Sequence, residues 1–149
     1  MLQIITRHFD ELKNTELYDL LKLRSEVFVV EQNCVFLDMD DKDQEAVHVL
    51  GYEGPQLVAY TRLLAPGKSY AEASIGRVVS HPSARGKNYG REIMQFSIQH
   101  TLELFNTKEI VISAQLYLER FYAELGFVPE GDVYPEDDIP HIKMRYGCG

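Results

Sequence analysis

The stretch Ile75-Gly76-Arg77-Val78-Val79-Ser80-His81-Pro82-Ser83-Ala84-Arg85-Gly86-Lys87-Asn88-Tyr89-Gly90-Arg91 constrains the fold more than any other part of the chain. Its apolar start predicts a short strand, His81-Pro82 a turn, and Gly86 and Gly90 a loop that opens into a long apolar-striped helix. Free N–H groups and the helix dipole at such a start favour an anion, and glycine lets a phosphate approach the backbone closely. Charge points the same way: no Asp or Glu falls between Ala73 and Arg91, whereas Arg77, Arg85, Lys87 and Arg91 all do. The whole chain carries 15 Lys and Arg against 23 Asp and Glu, so outside this stretch the balance is 11 against 23. The loop reads either as an anion-binding helix start or as an ordinary solvated turn with two glycines. It is neither a Walker loop, which ends Gly-Lys-Ser/Thr, nor a dinucleotide fingerprint, Gly-x-Gly-x-x-Gly with an acid about 20 residues on.

With 149 residues, 45% of them hydrophobic, the chain is long enough to bury a core, and one domain spanning 1–149 is expected. A net charge of −8 argues against nonspecific nucleic-acid binding, which neutralises phosphates with Lys and Arg, and suits a cationic partner better. No apolar run reaches membrane-span length and no signal sequence opens the chain, so a cytoplasmic protein is expected. Cys34 and Cys148 are far apart and in no metal-type spacing, which fits reduced thiols; for Cys34 a small buried hydrophobe is preferred over a disulfide or a nucleophile.

In order, Leu2–Arg7 predicts a strand, and Asn14 or Thr15 caps a helix running to about Val30 with Leu17, Leu20, Leu21, Val27 and Phe28 on its apolar face. Glu31 to Glu45 is acidic, but it is not a calcium loop, because Lys42 sits at the fifth position from Asp38 and no glycine follows. Most of it reads as a solvated loop, with some carboxylates available to line the entrance for a positively charged amine. Ala46–Tyr52 and Leu57–Leu64 predict strands joined at Gly54-Pro55, so three strands without a helix between them form an antiparallel meander. The helix Tyr89–Phe105 and the strand Glu109–Ser113 complete a parallel crossover, with the anion loop at its C-terminal edge. A second helix, Leu116–Leu125, ends at Gly126. Phe127-Val128 and His141–Tyr146 supply the last strands across an acidic, proline-containing turn. The fold class is α/β of the α+β kind, with a central mixed sheet flanked by helices.

The loop Arg85-Gly86-x-Asn88-x-Gly90 resembles the acyl-coenzyme A pyrophosphate loop of the GNAT superfamily of N-acetyltransferases, with Asn88 in place of a middle glycine. Asn is the residue that best replaces glycine in left-handed backbone. Phe121-Tyr122-Ala123-Glu124-Leu125-Gly126-Phe127 resembles that superfamily's late motif, and the strand Ile75–Val79 precedes both in the right order. Phe28-Val29-Val30-Glu31-Gln32-x-Cys34, Arg62-Leu63-Leu64-x-Pro66 and Ile139-Pro140-His141 are similar to the ElaA-like branch, with Asp138 where glycine is expected. The resemblance implies a single GNAT domain that uses acetyl-coenzyme A and no metal. Backbone groups at Val78 and Val79 would hold the pantetheine arm, and Arg85, Gly86, Lys87, Asn88, Tyr89 and Gly90 the pyrophosphate.

Acetyl transfer to an amine needs a neutral nucleophile, a polarised thioester carbonyl and a proton for the leaving thiolate. By the resemblance Tyr122 supplies that proton; periodicity alone would make it a packed core aromatic. A backbone N–H where the strand around Val78 leaves its neighbour would polarise the carbonyl. Glu31, then His48, then His141 are the choices for a base, though His48 in an apolar strand and His141 at a turn also read as structural residues. The implied function is direct transfer from acetyl-coenzyme A to a small-molecule or peptide amine, cationic in character. A non-catalytic coenzyme A-binding module and another phosphate-binding α/β protein are the rivals. The amine and the oligomeric state, a homodimer included, are not legible in the sequence.

Overall fold

Strands buried on both faces form the middle of the first sheet of the structure, a computed structural model that describes residues 1–147. Strands β1 (Gln3–His8), β2 (Val47–Glu53), β3 (Gln56–Leu64) and β4 (Ser74–Ser80) lie side by side in that order, every pair antiparallel. The turn between β2 and β3 is Gly54-Pro55, with Gly54 at φ +59°. Helix α1 (Asn14–Arg24) and the turns that continue it cover one face, where Leu20, Leu23 and Val27 pack on Leu50, Tyr60 and Val79. Helix α2 (Tyr89–Leu104) covers the other with Ile93, Met94 and Ile98, all buried, against Val49, Leu63 and Ile75. Fully burying a side chain of this size contributes about 1.5–3 kcal/mol, so these two stripes fix both helices to the sheet.

The start of α1 is capped differently from the prediction. Asn14 is already helical, and the Glu16 carboxylate accepts from the Lys13 N–H at 2.9 Å. Beyond Arg24 the helix widens over Ser25–Glu31 into π-type turns, with Gln32 N–H bonding the Val27 carbonyl at 3.2 Å and Cys34 N–H that of Val29 at 3.1 Å. Such widening redirects the side chains C-terminal to it and is frequent at functional sites.

The second sheet holds β5 (Ile110–Gln115), β7 (Ile139–Tyr146) and β6 (Phe127–Glu136) in that order, again antiparallel. Helix α3 (Glu119–Glu124) follows β5 through a tight turn at Leu116–Leu118. The strand predicted at Phe127-Val128 extends to Glu136, absorbing most of what reads as a turn. Its prolines are tolerated because β6 is an edge strand, where a missing N–H costs no ladder bond. The turn that remains is Asp137-Asp138 alone, at φ +51° and +61°, the left-handed backbone for which glycine is expected at Asp138. Cys148 lies outside the described residues. No helix among the described residues is long and apolar enough to cross a membrane.

The parallel crossover β4–α2–β5 is present, but its strands touch at one bridge only, Ala73 to Ile110, closed by the Val111 N–H on the Ala73 carbonyl at 2.9 Å. Beyond that bridge β4 and β5 share no ladder. From there the two strands part into separate sheets; this break in the hydrogen-bonded surface is the cleft, and the glycine loop follows β4.

Candidate active site

Glycine and asparagine shape the loop as the sequence implies. Gly86 lies at φ +89° and Asn88 at φ +66°, immediately before the first residue of α2. A Cβ added at Gly86 would meet nothing within 4 Å, so glycine is needed there for conformation, and open space remains beside the loop. The first turn of α2 leaves its N–H groups without helical partners; the first helical bond runs from the Glu92 N–H to the Asn88 carbonyl at 3.1 Å. Loop and helix start therefore fit a phosphate group.

The side-chain charge there is not free, which corrects the expected concentration of positive charge. Arg85 donates to both oxygens of Glu31 at 2.5 and 2.7 Å and to the Ser80 carbonyl at 3.1 Å. Lys87 donates to Glu53 at 3.0 Å, and Arg91 donates to Glu124 at 2.6 Å with its guanidinium over the Phe121 ring. Arg77 turns away altogether, onto Asp38 at 2.9 Å. An anion at the loop meets backbone donors outright and competes with carboxylates for the cations.

The Arg91 contacts set α3, which carries Tyr122, beside the start of α2. Tyr122 is 5% exposed, its ring edge-on to Phe121 and Phe127. Burial raises its pKa, so the phenol keeps its proton.

The three residues considered as bases sit in different settings. The hydrogen bond and charge of Arg85 outweigh burial and lower the Glu31 pKa, so its carboxylate is a poor proton acceptor while paired. His48 lies beneath α1 at 0% exposure, one ring nitrogen 2.5 Å from the Tyr60 hydroxyl and the other 2.9 Å from the Asp43 carbonyl. Neither nitrogen is open to an amine. His141 stands opposite Gln115 in the register, its Nδ1 donating to the Ile139 carbonyl at 2.7 Å and its Nε2 3.6 Å from a Glu136 oxygen. In the neutral ring that bond keeps the proton on Nδ1 and leaves the lone pair on Nε2. The side-chain amides of Gln32 and Gln115 meet at 3.0 Å and tie the end of the π-type turns to β5. A cavity of about 540 Å³ opens between the residues after α1 and the β6–β7 turn, with Gln32, Cys34, Asp137 and Asp138 on its wall. Cys34 is half-buried rather than a core hydrophobe, and its thiol donates to the Asp137 carbonyl at 3.1 Å.

The acidic run departs most from expectation. Asp38 and Asp43 are buried, not solvated, and with Asp40 they bind three arginines from separate elements: Arg24 of α1, Arg62 of β3 and Arg77 of β4. Burial opposes the charge on Asp40 and Asp43, yet Arg62 on the first and Arg24 on the second hold both carboxyls below the ordinary range. These carboxylates are already neutralised and leave no field for an incoming cation.

Desolvation lowers the His48 pKa below its ordinary 6.5. Between the folded and ordinary values the unfolded chain binds the extra proton, so the stability His48 contributes is whole above pH 6.5 and falls as pH drops below it. The slope is at most about 1.4 kcal/mol per pH unit. The thermal-unfolding midpoint should fall between about pH 7.5 and pH 5.5, and His48→Gln should flatten that decline.

Two antiparallel sheets parting at β4 and β5, with a glycine loop opening α2, make a fold shared with an acyl-CoA N-acyltransferase of known structure. The chain belongs to the GNAT acetyltransferase family: residues 19–148 match the model described as "Acetyltransferase (GNAT) domain". It is 40% identical to Protein ElaA of Escherichia coli, over 92% of this chain and 91% of that protein. The crystal structure of E. coli ElaA superposes with a TM-score of 0.91, covering 98% of this chain and 99% of the other. An acyl-CoA N-acyltransferase from Pseudomonas aeruginosa superposes at 0.93 with 41% identity, over 99% of this chain and 100% of that one. The fold thus supports acyl-coenzyme A-dependent N-acyl transfer as a class.

Proposed function

We propose that the protein transfers the acetyl group of acetyl-coenzyme A directly to a primary amine in a ternary complex. The observation that carries this reading is the left-handed Gly86–Asn88 loop opening α2 where β4 and β5 part, with Tyr122 buried in the neighbouring helix α3. Backbone N–H groups from Gly86 to Gly90 bind the pyrophosphate, and Arg85 adds charge after exchanging Glu31 for phosphate. Backbone groups at Val78 and Val79 hold the pantetheine arm, and an N–H there polarises the thioester carbonyl.

On geometry we rank the bases differently from the sequence. His141 Nε2, with its lone pair fixed and Glu136 beside it to stabilise the imidazolium, takes the amine proton; Glu31 ranks second and His48 last. The amine nitrogen then bonds the carbonyl carbon, the C–S bond breaks as the Tyr122 hydroxyl gives its proton to the departing sulfur, and the second proton of the new amide nitrogen leaves to the Tyr122 oxygen, directly or through water, which restores the phenol. Asp137 and Asp138 at the cavity suit a cationic acceptor.

The test is release of free thiol from acetyl-coenzyme A with a panel of polyamines, aminoglycosides, amino acids and lysine peptides. Release stimulated by one amine class is the expected result. Stabilisation by acetyl-coenzyme A without release from any amine would favour a binding module instead. Arg85→Ala should weaken acetyl-coenzyme A binding roughly tenfold, the loss of one charge-assisted contact of about 1.5–3 kcal/mol less the freed Glu31 pair. Calorimetry reads that change directly, and unaltered affinity would remove Arg85 from the pyrophosphate site.

A further inference from the structure

Six buried or half-buried charges lie under β4, and the proposed acetyl transfer uses none of them. Arg24 joins Asp38 at 2.8 Å and Asp43 at 2.7 Å; Arg62 joins Asp40 at 2.7 Å and Asp43 at 3.0 Å; Arg77 joins Asp38 at 2.9 Å. Buried ion pairs gain little over apolar packing of the same volume, because desolvation offsets most of the attraction. Stability alone is therefore a weak reason for so many charges here. What they do supply is direction.

Arg77 is the member that reaches the cleft-forming strand, and its backbone is unusual. It lies at φ +50°, in left-handed backbone that is costly for any residue with a Cβ. The β3–β4 register shifts at this point, from Tyr60 opposite Val79 to Arg62 opposite Gly76, so Arg77 and Val78 together face the single residue Thr61. That is a β-bulge, which leaves one residue's backbone unpaired and re-aims the strand beyond it. The Arg77 side chain is held at three points on the opposite loop: Nε on the Asp38 carboxylate, Nη2 on the Asp38 carbonyl at 2.8 Å, and Nη2 on Asp40 at 3.4 Å. Arg24 and Arg62 in turn anchor Asp38 and Asp40. Strained backbone persists only where its surroundings over-determine it, and here the over-determination is ionic.

We infer that Arg77 is a positioning residue whose guanidinium, clamped on Asp38 and Asp40, holds the β4 bulge open so that backbone N–H at Val78 faces the cleft between β4 and β5. The inference rests on the proposed reading that the acyl carbonyl lies against β4. It assigns the buried arginine–aspartate network the task of shaping an oxyanion donor from the far side of the sheet.

Glycine separates the backbone from the clamp, because it adopts positive φ without help whereas alanine does not. Arg77→Ala should therefore lower kcat roughly 10²-fold, the loss typical of an oxyanion donor, with acetyl-coenzyme A affinity changed little. Arg77→Gly should recover most of that loss although it too lacks the guanidinium. Equal losses in both variants, or no loss in either, would overturn the inference. A second arm needs no turnover: amide NMR spectra of the three proteins compare the signals of Val78 and Thr61. Arg77→Gly should keep the wild-type bulge shifts and Arg77→Ala should move them. Wild-type shifts in Arg77→Ala would show that the bulge needs no clamp, and would do so even if no amine were ever found to be acetylated.

Discussion

Arg24→Ala should destabilise the fold by about 3–5 kcal/mol, the loss found when one partner of a buried ion pair is removed. The side chain is 0% exposed and donates to two aspartates, with its guanidinium also 5.9 Å from the centre of the Tyr60 ring. Burial works against its charge, but Asp43, Tyr60 and Asp38 together raise its pKa, so the charge persists at every accessible pH. Truncation leaves Asp38 to Arg77 and Asp43 to Arg62, which limits the unpaired charge, and opens a cavity under α1 that adds to the cost. Against a total stability of about 5–15 kcal/mol for a domain, this loss is large. Urea unfolding monitored by circular dichroism reads it. A loss under about 1 kcal/mol would mean that the 38–43 loop is held by its backbone and not by the network. Arg24→Met separates charge from volume: it fills the space without a partner for the aspartates and should recover only the cavity part.

The network also marks where the sequence stops being informative. Hydrophobic periodicity finds α1 and α2 because Leu17, Leu20, Ile93 and Met94 recur at helical spacing. It is blind to Arg24, which sits on the buried side of α1 and looks polar. Nothing local links Asp38 to Arg77, 39 residues on, or Glu31 to Arg85, 54 residues on. The run from Glu31 to Glu45 reads as solvated for that reason alone. The glycine loop was legible because its information is local: Gly86 and Asn88 occupy left-handed backbone, and those residue types tolerate it. Arg77 breaks that rule, and no residue pattern announces a bulge at an arginine. Edge position decided β6, since Pro129 and Pro135 read as breakers until β7 is known to lie on one side only.

Tyr122→Phe isolates the proposed proton donor. The change removes one oxygen and keeps the edge-on contacts with Phe121 and Phe127, 5.1 and 5.9 Å between ring centres, so stability and acetyl-coenzyme A affinity should hold. Turnover should fall roughly 10²–10³-fold, within the range of a general acid. In water a phenol near 10 protonates a thiolate near 8.5 uphill, by about 2 kcal/mol. Burial raises the phenol further, but a thiolate leaving into the same dry cleft is raised by the same desolvation, so the deficit need not grow. Transfer timed with C–S cleavage lets the breaking bond supply the difference. Because burial keeps the hydroxyl protonated, wild-type activity should not decline between about pH 8 and pH 10 through ionisation of Tyr122. Steady-state kinetics of the two proteins across that range decide the assignment. Equal kcat would leave Tyr122 as a packing residue, and a raised KM with kcat unchanged would make its hydroxyl a binding group, because a proton donor acts in the transition state and a binding group acts equally before it.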